Sequence, residues 1–163
     1  MASGDTLVVF TSLHNEPPVS IFATLDIRNA HPVLDFDGAT DEEAVFTGVL
    51  PRHYAGGGHT VYLHVMFSSA ITGSSFWQAA IERMDDGTLD LDADSFATAQ
   101  TITAATVPAS SGVEAITNVA VSNGANIDSI AVGQAFRIRI RRDVANDNAA
   151  GDAQLLCVEL KET

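Results

Sequence analysis

From Gln134 to Asp143 apolar and basic side chains alternate with period two. Phe136, Ile138 and Ile140 fall on one parity and Arg137, Arg139 and Arg141 on the other. That alternation marks a strand with one face buried. Thr6–Thr11 and Ala44–Leu50 are apolar runs of strand length, the latter stopped by Pro51, and Val33–Asp37 alternates apolar and acidic. In Thr60–Phe67, Val61, Leu63, Val65 and Phe67 share one face and Tyr62, His64 and Met66 the other, so both faces are expected to be at least partly covered. Phe76–Met84 has helix-favouring Ala, Glu and Arg, but Trp77, Ala79 and Ile81 share one parity, and the alternation predicts a strand. Asp85-Asp86-Gly87 then reads as a β-turn closing a hairpin.

The remaining pattern is also short and extended. Ile21–Ile27 is a strand or an arm over the body, and Asn29-Ala30-His31-Pro32 a turn. Asp94–Thr98 is expected to make a helical turn. Ala99–Ala104 and Val113–Val121 are strands, the second closed by Asn123-Gly124. Asp143–Gly151 is a polar hairpin loop, and Asp152–Leu160 the closing strand. Seven to nine strands with turn signals between them predict an all-β chain: an antiparallel, jelly-roll-like β-sandwich with a short N-terminal arm. Residues 1–163 form one domain, with 1–40 as an arm or edge strands and 41–163 as the main body.

Charge sharpens this picture. The chain carries a formal net charge of −13 and only 8 Lys and Arg, half of which are Arg137, Arg139, Arg141 and Arg142. The acidic field argues against nucleic acid and anionic membranes as direct partners. No run approaches the 18 apolar residues of a membrane-spanning helix, and Met1–Asp5 lacks the basic start and apolar core of a secretion signal. The single Cys157 excludes an internal disulfide and reads as a small, buried or half-buried strand residue.

No motif supports catalysis. The five histidines include no His-x-His and no His-Glu-x-x-His, and there is no Gly-x-Ser-x-Gly elbow. Gly56-Gly57-Gly58 lacks the Lys-Ser/Thr and helix that a phosphate loop needs, and reads as backbone passing close over a sheet end. Asp90, Asp92 and Asp94 have the opening spacing of an EF-hand, but Ser95 stands at the sixth position and Thr101 at the twelfth. The expectation is a chain that is not an enzyme, without cofactor or metal. The arginine row is either a solvated face neutralised by carboxylates of its own subunit, or an interface. As an interface it comprises Arg137, Arg139 and Arg141, the loop around Tyr54, Gly56 and Gly57, and the acidic residues Asp90, Asp92 and Asp94, whose even spacing would suit side-by-side pairing with the arginine strand.

The stretch from Leu50 to the C-terminus, notably Tyr54-Ala55-Gly56-Gly57-Gly58, Glu82-Arg83-Met84-Asp85-Asp86-Gly87, Phe136–Asp143 and Gly151-Asp152-Ala153-Gln154-Leu155-Leu156, resembles small proteins of tailed-bacteriophage structural gene clusters. The resemblance implies a jelly-roll capsid decoration (cement) protein. Such a protein would sit on the outer capsid surface of the virion, bind the major capsid protein and self-associate as a dimer or trimer. The alternative is a tail-fibre or receptor-binding head recognising a host surface glycan, which predicts a Trp or Tyr exposed at a loop end. Trp77, in mid-strand, is expected in the core.

Overall fold

The computed structural model describes residues 4–163. They form ten strands, β1 (Thr6–Thr11), β2 (Thr24–Arg28), β3 (His31–Phe36), β4 (Glu43–Val49), β5 (His59–Phe67), β6 (Ser74–Met84), β7 (Gln100–Thr106), β8 (Ala115–Val121), β9 (Ala135–Arg142) and β10 (Ala153–Glu162), with two short 3-10 turns at Ser12–His14 and Ala125–Ile127. One sheet has the order β2-β3-β10-β5-β8, with β1 also paired to β10; the other has the order β4-β9-β6-β7. All these ladders are antiparallel. The chain is an all-β, jelly-roll-like sandwich.

The alternation in the sequence places the core. Val61, Leu63, Val65 and Phe67 of β5, and Phe136, Ile138 and Ile140 of β9, are fully buried between the sheets. Each such side chain contributes about 1.5–3 kcal/mol. Trp77 of β6 meets Phe36 of β3 edge-on, with centroids 4.9 Å apart, and its indole N–H donates to the Ser75 hydroxyl at 2.8 Å. Phe10 of β1 stacks on Phe46 of β4 at 5.5 Å.

The segment between β1 and β2 lies on its own body. Along the free edge of β4, the Glu16 N–H donates to the Val45 carbonyl at 2.7 Å and the Val45 N–H to the Asn15 side chain at 3.1 Å. The Ala23 N–H donates to the Glu43 carbonyl and the Glu43 N–H to the Ile21 carbonyl, both at 2.9 Å. This crossing covers an edge that would otherwise present unpaired backbone.

Four local expectations are corrected. Residues 94–99 form no helical turn: they belong to neither helix nor strand, and the Ala97 N–H donates to the Ile81 carbonyl of β6 at 2.8 Å. Asp85-Asp86-Gly87 does not close a tight hairpin, because β7 begins only at Gln100. Residues 143–151 cross from one sheet to the other, since β9 and β10 lie in different sheets. His31 and Pro32 already belong to β3, and the turn before them is Asn29-Ala30, both at positive φ. In the last three cases the turn or loop itself was legible, but the strand that pairs next is a tertiary choice.

The crossing from β9 to β10 is held by Arg142, which is fully buried. Its Nε donates to Asp147 Oδ2 at 2.8 Å, and its Nη1 to the carbonyls of Phe36, Gly151 and Asp37 at 2.9, 3.0 and 3.2 Å. The guanidinium fork thereby satisfies carbonyls at the end of β3 and in the loops beside it.

Candidate functional site

The outer face of the four-stranded sheet carries the arginine row, and each arginine has a carboxylate partner in its own chain. Arg137 Nε donates to Glu82 Oε2 at 2.8 Å, and Nη2 reaches the same oxygen. Arg139 lies 3.7 Å from Glu43, and Arg141 bonds Asp41. Partial burial acts to raise the Asp41 pKa, but the hydrogen bonds from Arg141 and the Val144 N–H and the guanidinium charge outweigh it, leaving the carboxyl below its ordinary value. The Phe96 ring packs beneath two of the guanidinium groups, 5.2 Å from Arg137 and 4.9 Å from Arg139.

Asp90, Asp92 and Asp94 do not pair side by side with this strand. They sit on a turn, where the N–H groups of Ala93 and Asp94 donate to the Asp90 carbonyl at 3.0 Å. Even spacing puts carboxylates on one face only in a strand, and this segment is not one. Nearby Asp85 accepts from Gln134 at 2.7 Å and Thr88 at 2.8 Å. Among the described residues no group of three or more His, Cys, Asp or Glu is placed to hold a metal ion, and no helix is long and apolar enough to cross a membrane.

The glycine loop is pinned at a sheet end. Gly58 passes so close to β8 that a Cβ there would lie 2.6 Å from the Val121 carbonyl oxygen. Tyr54 is buried and donates its hydroxyl to the Gly57 carbonyl. The Gly56 carbonyl accepts from Asn123 at 2.8 Å, and the Ala55 N–H donates to Glu162 at 3.0 Å. Beneath them His59 is fully buried, its ring 5.0 Å from that of Tyr54, and neither ring nitrogen has a partner among the described residues. Burial pushes the imidazole pKa down to about 4, against the opposing pull of the Glu162 carboxylate.

The outer face of the six-stranded sheet differs in kind. The ladders set Asn118, Tyr62 and Glu159 side by side across β8, β5 and β10, with Ile116, His64 and Cys157 as the adjoining row. Tyr62 is half-buried and Asn118 exposed. The Lys161 ammonium lies 5.4 Å from the centre of the tyrosine ring, and His64 Nδ1 lies 2.7 Å from Glu114. Two residues beyond His64, Met66 lines a cleft of about 290 Å³ with Leu156, Arg28, Asn29, His31 and Gly112. Arg28 Nη1 donates to the Phe67 carbonyl and to Gln154 Oε1, both at 2.7 Å. Sequence reasoning passed over this face because β5 reads as covered on both sides. The usable signal was the placing of Tyr62 and His64, aromatic yet polar, at alternate positions. Trp77 is fully buried in the core, and no Trp or Tyr is exposed at a loop end among the described residues.

No protein-family model and no curated protein matches the sequence. Solved structures do match the fold. A xylan-binding module, CBM15, superposes with a TM-score of 0.51 at 10% identity, over 96% of this chain and 97% of its own. A family 30 carbohydrate-binding module superposes with a TM-score of 0.46 at 9% identity, over 99% of this chain and 85% of its own. At such identities the likeness is one of fold.

Proposed function

We propose that the chain is a non-catalytic glycan-binding module and that it binds through the outer face of the six-stranded sheet, from Tyr62 to the cleft at Arg28 and His31. One observation carries this: the half-open Tyr62 ring sits between an amide and a carboxylate, Asn118 and Glu159, on its own row. A sugar ring presents C–H faces that pack on an aromatic ring and hydroxyls that both donate and accept. An aromatic body flanked by amide and carboxylate groups meets both demands. The arginine face offers less, because its guanidinium groups already pair with Glu82, Glu43 and Asp41. The xylan-binding module of similar fold makes a plant-type polysaccharide a sensible first probe. In native gels cast with xylan, mannan, galactan or bacterial surface polysaccharides, migration should be retarded by at least one polymer. Unretarded migration in all of them would overturn the proposal.

A second reading is a virion subunit on the outer capsid surface, held against the major capsid protein. The observation in its favour is the exposed apolar N-terminal segment, with Leu13, Val19 and Ile21 in water. The fold comparisons lend this placement no support. Its test is binding to emptied, expanded capsids; failure to bind them would remove it.

A further inference from the structure

Arg137, Arg139, Arg141, Arg142 and Lys161 each lie within 4.0 Å of a carboxylate of their own chain. Arg28 has no such carboxylate among the described residues, although the chain carries a net charge of −13. Even Asp26, two residues back on the same strand face, turns its Oδ1 to the Ile27 N–H at 2.7 Å. Arg28 stands at the end of β2 and lines the cleft with His31, Met66, Gly112 and Leu156. Its guanidinium is fixed by neutral acceptors, because the bonds to the Phe67 carbonyl and to Gln154 both come from Nη1. Those two bonds use both Nη1 hydrogens. The Nε–Nη2 edge has no partner among the described residues, and neither atom is sealed from solvent. Gly112 has no side chain to crowd that edge, where a Cβ would lie 2.9 Å from Nη2 and 3.5 Å from Nε. The N–H groups of this edge run parallel and match the two oxygens of a carboxylate.

We infer that the glycan taken by this face is a largely neutral polysaccharide bearing scattered uronic acid residues, and that a uronate carboxylate docks on the Nε–Nη2 edge of Arg28. The inference rests on the assignment of glycan binding to the six-stranded sheet. At about 290 Å³ the cleft is at the small end of ligand sites and suits one sugar ring. Met66 and Leu156 give that ring an apolar wall. His31 Nδ1 lies 2.8 Å from the Asn29 carbonyl, which can only accept, so Nδ1 carries the proton and Nε2 is left for a sugar hydroxyl. Met66 follows Tyr62 by four residues of β5, roughly 13 Å, so one run of sugars reaches both. Charge limits how many of those sugars are acidic. Glu159 stands beside Tyr62, and Glu114 beside His64. A polymer charged at every ring sets carboxylates against these two, whereas a sparsely substituted one offers its carboxylate to Arg28 alone. The overall negative charge does not exclude that contact, because at physiological salt charges beyond roughly 8 Å are largely screened.

Isothermal titration with glucuronoxylan and xanthan, each native and carboxyl-reduced, tests this, with polygalacturonate and dextran sulfate as densely charged comparisons. Wild type should bind the native form of at least one of the first two about tenfold or more tighter than its reduced form, and tighter than either comparison polymer. The preference should shrink as salt rises. Arg28→Gln should bind native and reduced forms within about twofold of each other. His31→Glu should do the same with unchanged circular dichroism, since it sets a carboxylate beside the guanidinium from an exposed position and leaves the bonds to Phe67 and Gln154 in place. Equal binding of native and reduced forms by wild type, a preference that survives both substitutions, or tighter binding of polygalacturonate or dextran sulfate would each overturn the inference and leave the binding face standing. So would binding of none of these polymers by a chain that neutral mannan or galactan retards in gels. No retardation by any polymer would remove the binding face and the inference together.

Discussion

Arg137 and Glu82 face each other across the β9–β6 ladder, and the guanidinium Nε donates to the carboxylate at 2.8 Å, with Glu82 only 1% exposed. The chain's most concentrated run of positive charge thus serves first to neutralise acidic residues of its own fold. Arg137→Ala should lower unfolding free energy by about 1–3 kcal/mol, because it leaves a buried carboxylate without its partner. Arg139→Ala, which loosens the 3.7 Å pair with Glu43 and the packing on Phe96, both at the surface, should cost only about 1 kcal/mol. Urea titrations of the two variants, with unchanged slope, check the ordering. Equal losses would contradict it.

Arg142 should be far less replaceable than its neighbour Arg141. It is fully buried, and its removal leaves Asp147 without its guanidinium and the Phe36 and Gly151 carbonyls without this donor. Arg142→Leu should destabilise by about 3–5 kcal/mol, whereas Arg141→Ala, at a half-exposed pair, should cost about 1 kcal/mol or less. Thermal melts of the two variants check this directly.

His59 makes the fold acid-sensitive. Its folded pKa of about 4 lies below the ordinary 6.5, so the unfolded chain binds the proton more readily. The stability this group leaves intact above pH 6.5 is lost as pH falls, and the loss is complete below about pH 4, amounting to about 3 kcal/mol. Asp35 and Glu42 act in the opposite sense: burial and neighbouring carboxylates raise their pKa values, so their protonation favours the folded state as pH falls. The imidazole contribution is therefore isolated by difference. His59→Phe should melt close to wild type at pH 7 and gain on it steadily between pH 6.5 and about pH 4. A constant difference across that range would contradict the assignment.

The strands were legible because their side chains alternate. In β5 and β9 the parity read from the sequence is the parity buried, and in β6 it outweighed helix propensity, with Trp77, Ala79 and Ile81 all in the core. Pairing was not legible. Which strand follows β6 across the sheet, or whether β9 turns back on itself, depends on long-range contacts that no local run encodes. Arg142 shows the limit most plainly: the unbroken alternation of β9 puts it on the buried parity of Phe136, Ile138 and Ile140, but the Asp147 carboxylate and the carbonyls that receive it come from segments no local run could place. Tyr62 was hidden for a related reason, since an apolar run on both faces of β5 gives no sign that one face has no layer above it. The even spacing of Asp90, Asp92 and Asp94 suggested a strand face where the chain makes a turn.

Isothermal titration of an oligosaccharide from the polymer that retards the wild-type chain, into wild type, Tyr62→Ala and Arg139→Ala, tests the placement of the binding face most directly. Saturable heat should appear with wild type and Arg139→Ala and fall at least tenfold in affinity with Tyr62→Ala, a loss of about 1.4 kcal/mol. Undiminished binding by Tyr62→Ala, or loss confined to Arg139→Ala, would move recognition away from the six-stranded sheet and contradict the assignment.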